Sequence, residues 1–224
     1  MSVRGGAKKF GREGFPRAVA FFDGQNLFHG AREAFGYRMP NYEPVALARA
    51  VCSGPRWTLE RVRFYTGLRD PRDDPFWYSF WSANLAAMKS DGIEVITRPL
   101  RYRRVTVRLP DGGTHSFVSR EEKGIDVRIA LDVMRLAHRR EYEVALLFSQ
   151  DQDFAEVARE ICVVAADQRR WIKIASAFPE GAGARKGRGI DLTDWIPIAR
   201  TTYDACLDPR DFRPRGRSGP GAAG

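Results

Sequence analysis

The chain is poor in the residues that build disulfide frameworks, thiolate metal sites and imidazole catalysis. Its 224 residues include three cysteines (Cys52, Cys162 and Cys206) and three histidines (His29, His115 and His138). The cysteines lie far apart and none falls in a CxxC pair. That excludes a disulfide scaffold and a thiolate zinc site, and points to a reducing cytoplasm. The histidines are equally scattered: no HxxxH spacing exists, and none is well placed to act as a base. No stretch approaches the ~20 apolar residues that cross a bilayer. The N-terminus "MSVRGGAKKFGREGFPR" is basic but has no apolar segment of the kind a secretory signal carries, so no membrane partner is expected. No internal repeat is visible. No GxGxxG follows the first apolar run, which argues against a dinucleotide enzyme.

Positive charge is what the chain does have. The net charge is +9, yet residues 1–17 carry +4 of it and residues 209–224 carry +3, leaving about +2 for everything between. The excess therefore sits in two Gly/Pro/Arg-rich ends whose composition reads as disordered. The expected organisation is a basic tail over 1–16, one domain over 17–207 and an Arg/Gly/Pro-rich tail over 208–224. Such tails could bind phosphate backbones without sequence preference, or serve only to solubilise.

Between the tails, strand and helix patterns alternate. "RAVAFFD" (17–23) is a short apolar run of buried-strand length that stops at an acid. Leu27, Phe28, Ala31 and Phe35 then fall at helical spacing, and a second helix over 44–51 opens on Pro44. "LERVRFYTG" (59–67) reads as a strand. Trp77, Trp81, Leu85 and Met88 mark an amphipathic helix ending at Asp91-Gly92, before a strand over 93–100. Residues 101–119 form two β-like runs around Pro110-Asp111-Gly112-Gly113, a hairpin signal. Residues 121–140 read as a long helix, 142–149 as a strand, 153–166 as a helix and 171–178 as a strand. A loop "GAGARKGRG" and the segment "IDLTDWIPI" follow. This alternation implies a mostly parallel sheet wrapped by helices, with ligands bound at the carboxyl ends of the strands.

Acids stand at those ends. Asp23 closes the first strand, Asp151 and Asp153 follow the strand over 142–149, and Asp126 lies near the start of the helix before it. Each has a plain alternative. Asp23 could start a turn with Asn26 capping the next helix; Asp151 could be an N-cap and Asp153 a first-turn acid; Asp126 could be one helix-start acid beside Glu121 and Glu122. Together, however, carboxylates crowded at one sheet edge repel by roughly 4 kcal/mol per close pair at an effective dielectric near 20. A divalent cation removes that penalty, and ligands that are all oxygen favour Mg²⁺ or Mn²⁺. Ser149 could hydrogen-bond a ligand carboxylate, Asn26 could orient Asp23, and Lys123 could neutralise phosphate. Asp132, about 120° around the helix from Asp126, reads as a supporting or structural residue. The arginines Arg98, Arg101, Arg103, Arg104 and Arg108, with Tyr102 among them, form one candidate substrate rim; Arg185, Lys186 and Arg188 form another.

Three segments, "FFDGQNLF", "EEKGIDVRIALDV" and "SQDQDFAEVARE", resemble in order and spacing the three motifs of NYN domains, the LabA-like branch of the PIN-like nucleases. "LTDWIPI" resembles the segment that closes that domain. The resemblance implies a PIN-like, Rossmann-like three-layer α/β/α fold with a mostly parallel central sheet, into which the hairpin at about 101–119 is inserted. It also implies a Mg²⁺ or Mn²⁺ site made by Asp23, Asp126, Asp151 and Asp153, accompanied by Asn26 and Lys123, and ribonuclease activity. Gln150 and Gln152 depart from the small residues common at those positions, which would narrow the site.

The expected function is thus metal-dependent hydrolysis of phosphodiester bonds in RNA, with DNA left open as a substrate. The alternative is an RNA-binding regulator with a weak or inactive nuclease site. A haloacid-dehalogenase-type phosphohydrolase needs a second Asp two residues after the first, where this chain has Gln25. Phe154 and the aromatic run "FWYSFW" read as core, although the run could also feed a homodimer contact.

Overall fold

Ala18 to Phe22 are all apolar because the strand they form is covered on both faces: Ala18, Ala20 and Phe22 join one core, Val19 and Phe21 the other. The computed structural model describes residues 14–108, 110, 112–121, 124–184 and 187–214, with the backbone alone for 101–104 and 117–121. The first strand, β1 (Arg17–Asp23), is followed by helices α1 (Gly24–Phe35) and α2 (Pro44–Ser53). Helix α2 starts on Pro44, with the Glu43 carboxylate accepting from the amides of Val45 and Ala46. Then come β2 (Thr58–Leu68), α3 (Pro75–Ser90) and β3 (Glu94–Pro99). The inserted hairpin is β4 (Arg101–Arg108) and β5 (Thr114–Glu121), an antiparallel pair separate from the main sheet. Helix α4 (Ile125–His138), β6 (Val144–Phe148), α5 (Phe154–Asp167), β7 (Lys173–Glu180), β8 (Asp194–Ala199) and α6 (Arg200–Asp204) complete the order.

Six strands pair, all in parallel, in the order β3-β2-β1-β6-β7-β8. Helices α1, α2, α3 and α6 pack on one face around Phe22, Phe64 and Phe148; α4 and α5 pack on the other around Phe21 and Leu147. The result is a three-layer α/β/α fold. From β1 the chain adds strands outward through β2 and β3, and from β6 outward through β7 and β8. The order therefore reverses between β1 and β6, the place where such sheets open a crevice at their carboxyl edge. Phe22 and Phe148, register partners on these two strands, stack with centroids 3.9 Å apart and close the core beneath that crevice.

Two boundaries differ from the sequence reading, for one reason. The second hairpin strand runs on to Glu121, and Gly124 takes a left-handed conformation (φ 80°) that only a glycine adopts freely. Helix α4 consequently opens at Ile125, with Asp126 as the acid in its first turn. At the other end of the chain, Tyr42 bridges to Leu207 and the Asp208 amide donates to the Asn41 carbonyl at 2.8 Å. Arg210 continues to Asp91 at 2.8 Å, and Phe212 meets Phe80 edge-on.

Candidate active site

Asp23 ends β1 and caps α1. Its Oδ1 accepts the Asn26 amide at 3.1 Å, so the acid rather than Asn26 provides the N-cap. The turn between strand and helix is tight. A Cβ on Gly24 would lie 2.7 Å from the Phe64 ring and 2.9 Å from the Tyr65 carbonyl, so the close approach to β2 requires glycine. Asp23 is left 6% exposed. Burial pushes its carboxyl up from 3.8 to about 6, and the nearby acids Asp126 and Asp151 push the same way; the Asn26 amide and the Ser149 hydroxyl pull it down. Those two acids, from α4 and from the loop after β6, thus act on Asp23 through space.

The loop after β6 is fastened to this end of β1. Ser149 donates its hydroxyl to Asp23 Oδ2 at 3.2 Å and accepts the Asp151 amide at 3.2 Å. Asn26 Oδ1, released from capping, accepts the Gln150 amide at 2.9 Å. Asp151 Oδ1 accepts the Asp153 amide at 3.0 Å, and Asp153 stands at the N-cap of α5 without a side-chain capping bond. The capping expected of Asp151 is thus partly realised, its carboxylate accepting the amide two residues on, whereas the Asp153 side chain caps nothing. Asp23, Asn26, Ser149 and Asp151 form one bonded unit across the strand-order reversal, and Asp126 contributes charge to it. Among the described residues, no three His, Cys, Asp or Glu side chains are gathered as ligands of one ion. The donors at the crevice are nonetheless carboxylates with a hydroxyl and an amide, a set that suits a hard divalent cation.

The remaining candidates divide. Lys123, Arg185 and Lys186 lie outside the described residues, as do the side chains of Arg101, Tyr102, Arg103 and Arg104, whose backbone forms β4. Arg98 and Arg108 are exposed on β3 and β4. Arg188 is at the site: its guanidinium reaches Asp191 at 2.7 Å and Gln152 Oε1 at 3.3 Å. Asp132 is apart from the crevice, 1% exposed, bonded to Arg63, Tyr65, Arg128 and Arg135.

Two features escape a reading of the sequence. The first is a cleft along one face of α1. Asn26, His29, Gly30 and Glu33 sit at successive turns of α1 and line a cleft of about 320 Å³ together with Asp151 and Pro179. The i, i+3, i+4, i+7 spacing was there to be read, but that face of α1 carries no apolar stripe to mark it. The second concerns the two glutamines beside Asp151. Gln150 Nε2 donates to the Arg188 carbonyl at 2.8 Å and Gln152 Nε2 to the Gly189 carbonyl at 3.0 Å, while Gln152 Oε1 accepts the Asp191 amide at 3.1 Å. They staple the loop between β7 and β8 to the acidic loop.

A wholly parallel Rossmann-like sheet with buried and crevice-lining acids at its switch point describes an α/β protein with a polar carboxyl-edge site. The model of the NYN domain matches residues 17–163. The chain belongs to the NYN domain family, and so to the PIN-like nuclease superfamily. Among solved structures, a protein of unknown function from Vibrio parahaemolyticus is 20% identical, with a TM-score of 0.51 over 84% of this chain and 95% of that one. At that identity the likeness is one of fold alone. A ribokinase from Giardia lamblia, 13% identical with a TM-score of 0.38 over 82% of this chain and 57% of that one, is too distant to bear on function. A search of curated protein sequences finds no significant match. Among the described residues no helix is long and apolar enough to cross a membrane.

Proposed function

We propose that the protein is a metal-dependent ribonuclease that hydrolyses phosphodiester bonds at the crevice between β1 and β6. One observation carries this reading: Asp23 is a buried carboxyl whose charge is penalised by burial and by Asp126 and Asp151. Two hydrogen bonds only partly offset this, and such an arrangement is costly as structure and useful as a cation site. Asp23, Asp126 and Asp151, with Asp153, would hold Mg²⁺ or Mn²⁺. A divalent cation there supplies a water of lowered pKa and neutralises charge developing on the phosphate. The chain's own residues do the positioning. The Ser149 hydroxyl and the Asn26 amide fix both oxygens of Asp23, and the Asn26 side chain fixes the loop that carries Asp151. An acid of this cluster would take the proton of the attacking water; Asp153 is the exposed one, free of a capping bond. Arg188 and the loop it belongs to would run along the substrate backbone. RNA is the expected substrate, DNA the alternative to be tested beside it.

The test is incubation of the protein with labelled single-stranded RNA and DNA in Mn²⁺, Mg²⁺ or EDTA, alongside Asp151→Asn. Cleavage of RNA that needs the metal and disappears in the variant is the expected result. The second reading, an RNA-binding regulator with a weak or inactive site, draws on the acids not being gathered as ligands of one ion. It predicts RNA binding, unchanged by EDTA or by Asp151→Asn, with no cleavage.

A further inference from the structure

The cleft beside Asp151 has features that phosphate chemistry alone does not require. At Gly30 an added Cβ would lie 3.3 Å from Pro179 Cδ and 3.4 Å from Gln150 Oε1, so Pro179 and Gln150 pack against α1 there and close the cleft on that side. Of its lining residues, Asn26 and Asp151 belong to the proposed reaction centre; His29 and Glu33, one and two turns further along α1, do not. Among the described residues, the Glu33 carboxylate is paired with no cation. The backbone that carries it is fixed: a Cβ on Gly183 would come within 2.3 Å of the Glu33 carbonyl, so the chain leaving β7 lies directly against this turn of α1. The glutamine staples hold the next part of the same loop. The walls are therefore set by packing and hydrogen bonds, and the cleft's about 320 Å³ is the scale of a single small ligand.

We infer that this cleft is a slot for one base of the substrate strand, flanking the phosphate cut at Asp151, and that Glu33 makes it selective for guanine. The inference rests on the ribonuclease reading for its substrate. Sequence-selective recognition of single-stranded RNA works by splaying a base out, stacking it on a planar side chain and bonding its Watson–Crick edge. His29 offers the planar group, Pro179 closes the cleft where it packs on Gly30, and Glu33 offers carboxylate oxygens as acceptors. Guanine presents two adjacent donors, N1–H and the N2 amino group, to such a carboxylate. Adenine and cytosine each present one amino group beside an acceptor that repels it, and uracil one N–H between two carbonyls.

The experiment measures binding of GMP, AMP, CMP and UMP to the full chain by calorimetric or NMR titration, with cleavage-site mapping on mixed-sequence RNA in parallel. GMP is expected to bind about tenfold tighter than AMP. In Glu33→Gln, whose amide can pair with adenine, the preference should collapse to within about twofold, and His29→Ala should weaken all four nucleotides. Cuts should map beside G in the parent and lose that bias in Glu33→Gln. Equal binding of the four nucleotides, or a guanine preference that survives Glu33→Gln, overturns the slot. A guanine preference without cleavage keeps the slot and sinks the nuclease reading; metal-dependent cleavage without base preference in binding or cutting does the reverse. Glu33 and His29 are exposed on α1, so neither variant threatens folding.

Discussion

Ser149 and Asp23, the residues at the carboxyl ends of adjacent strands β6 and β1, are joined by a hydrogen bond of 3.2 Å. The bond ties the two halves of the sheet together at the point where strand order reverses. With the Asn26 amide it holds in place a carboxyl that burial, Asp126 and Asp151 disfavour as a charge.

That tension sets a pH dependence. A buried acid whose folded-state value is raised from 3.8 to about 6 holds its proton more tightly in the folded chain than in the unfolded one. Its contribution to stability is therefore full below about pH 4 and is lost as pH rises through about 6. The interval corresponds to about 2–3 kcal/mol. Asp23→Asn keeps the shape, can still accept the Asn26 amide and can donate to Ser149, but carries no charge. In EDTA at pH 8 it should melt roughly 4–10 °C above the parent, with the difference vanishing below about pH 4, while cleavage is lost. Thermal melts across pH test this; a variant less stable at pH 8 would mean that the Asp23 charge is compensated.

Asp132 is the opposite kind of buried acid. It accepts from Arg63 at 2.9 Å, Tyr65 at 3.0 Å, Arg128 at 3.0 Å and Arg135 at 2.7 Å. Burial raises its pKa, but Arg63, Tyr65, Arg128 and Arg135 outweigh burial and hold it below the usual carboxylate value. Asp132→Ala would strand the buried Arg63 guanidinium, which is expected to cost about 3–5 kcal/mol in denaturant unfolding. A loss under about 1 kcal/mol would show that Glu94, the other acid bonded to Arg63, is sufficient.

Much of this was legible in the chain itself. "RAVAFFD" reads as a strand covered on both faces because no polar residue interrupts it, and its terminal acid falls where a parallel sheet opens its crevice. Asp126 and Asp132 separate on helical phase alone, one toward the crevice and one into an ion-pair cluster. What stayed hidden depends on tertiary placement. His29 becomes a cleft residue only because the loop after β6 and the chain after β7 both come to lie against α1. Gln150 and Gln152 look like oversized spacers until the loop at 187–191 is beside them. The start of α4 could not be read because "SREEKG" has the acids of a helix start, yet its first residues extend the hairpin.

The staples carry their own prediction. Gln152→Gly removes the bonds to Gly189, Asp191 and Arg188. The base of the loop stays anchored through the Ile190 amide to Ser176 and Trp195 to the Ile190 carbonyl. Amide exchange at Asp191 should accelerate by about fivefold, since one net hydrogen bond is worth about 1 kcal/mol. KM for RNA should rise several-fold with kcat little changed, because Gln152 positions the wall rather than the reacting groups. A fall in kcat with KM unchanged would place Gln152 in the chemistry instead.

Metal binding can be tested without reference to cleavage. A cation that binds the folded chain and not the unfolded one stabilises it in proportion to the logarithm of its excess over Kd. At a hundredfold excess of Mn²⁺ over Kd this is about 2.7 kcal/mol, which raises the melting temperature of a chain this size by roughly 5–10 °C. The shift should appear in the parent at pH 8 and shrink at pH 5, where Asp23 is mostly protonated. It should be lost in Asp151→Asn, and also in Asp23→Asn although that variant starts from a higher melting temperature. The last comparison is the sharpest, because raised stability and lost metal response in one variant separate a cation site from a merely strained carboxyl. An equal Mn²⁺ shift in the parent and both variants would mean that the ion binds elsewhere, and the acids at the crevice would then have to be explained without it.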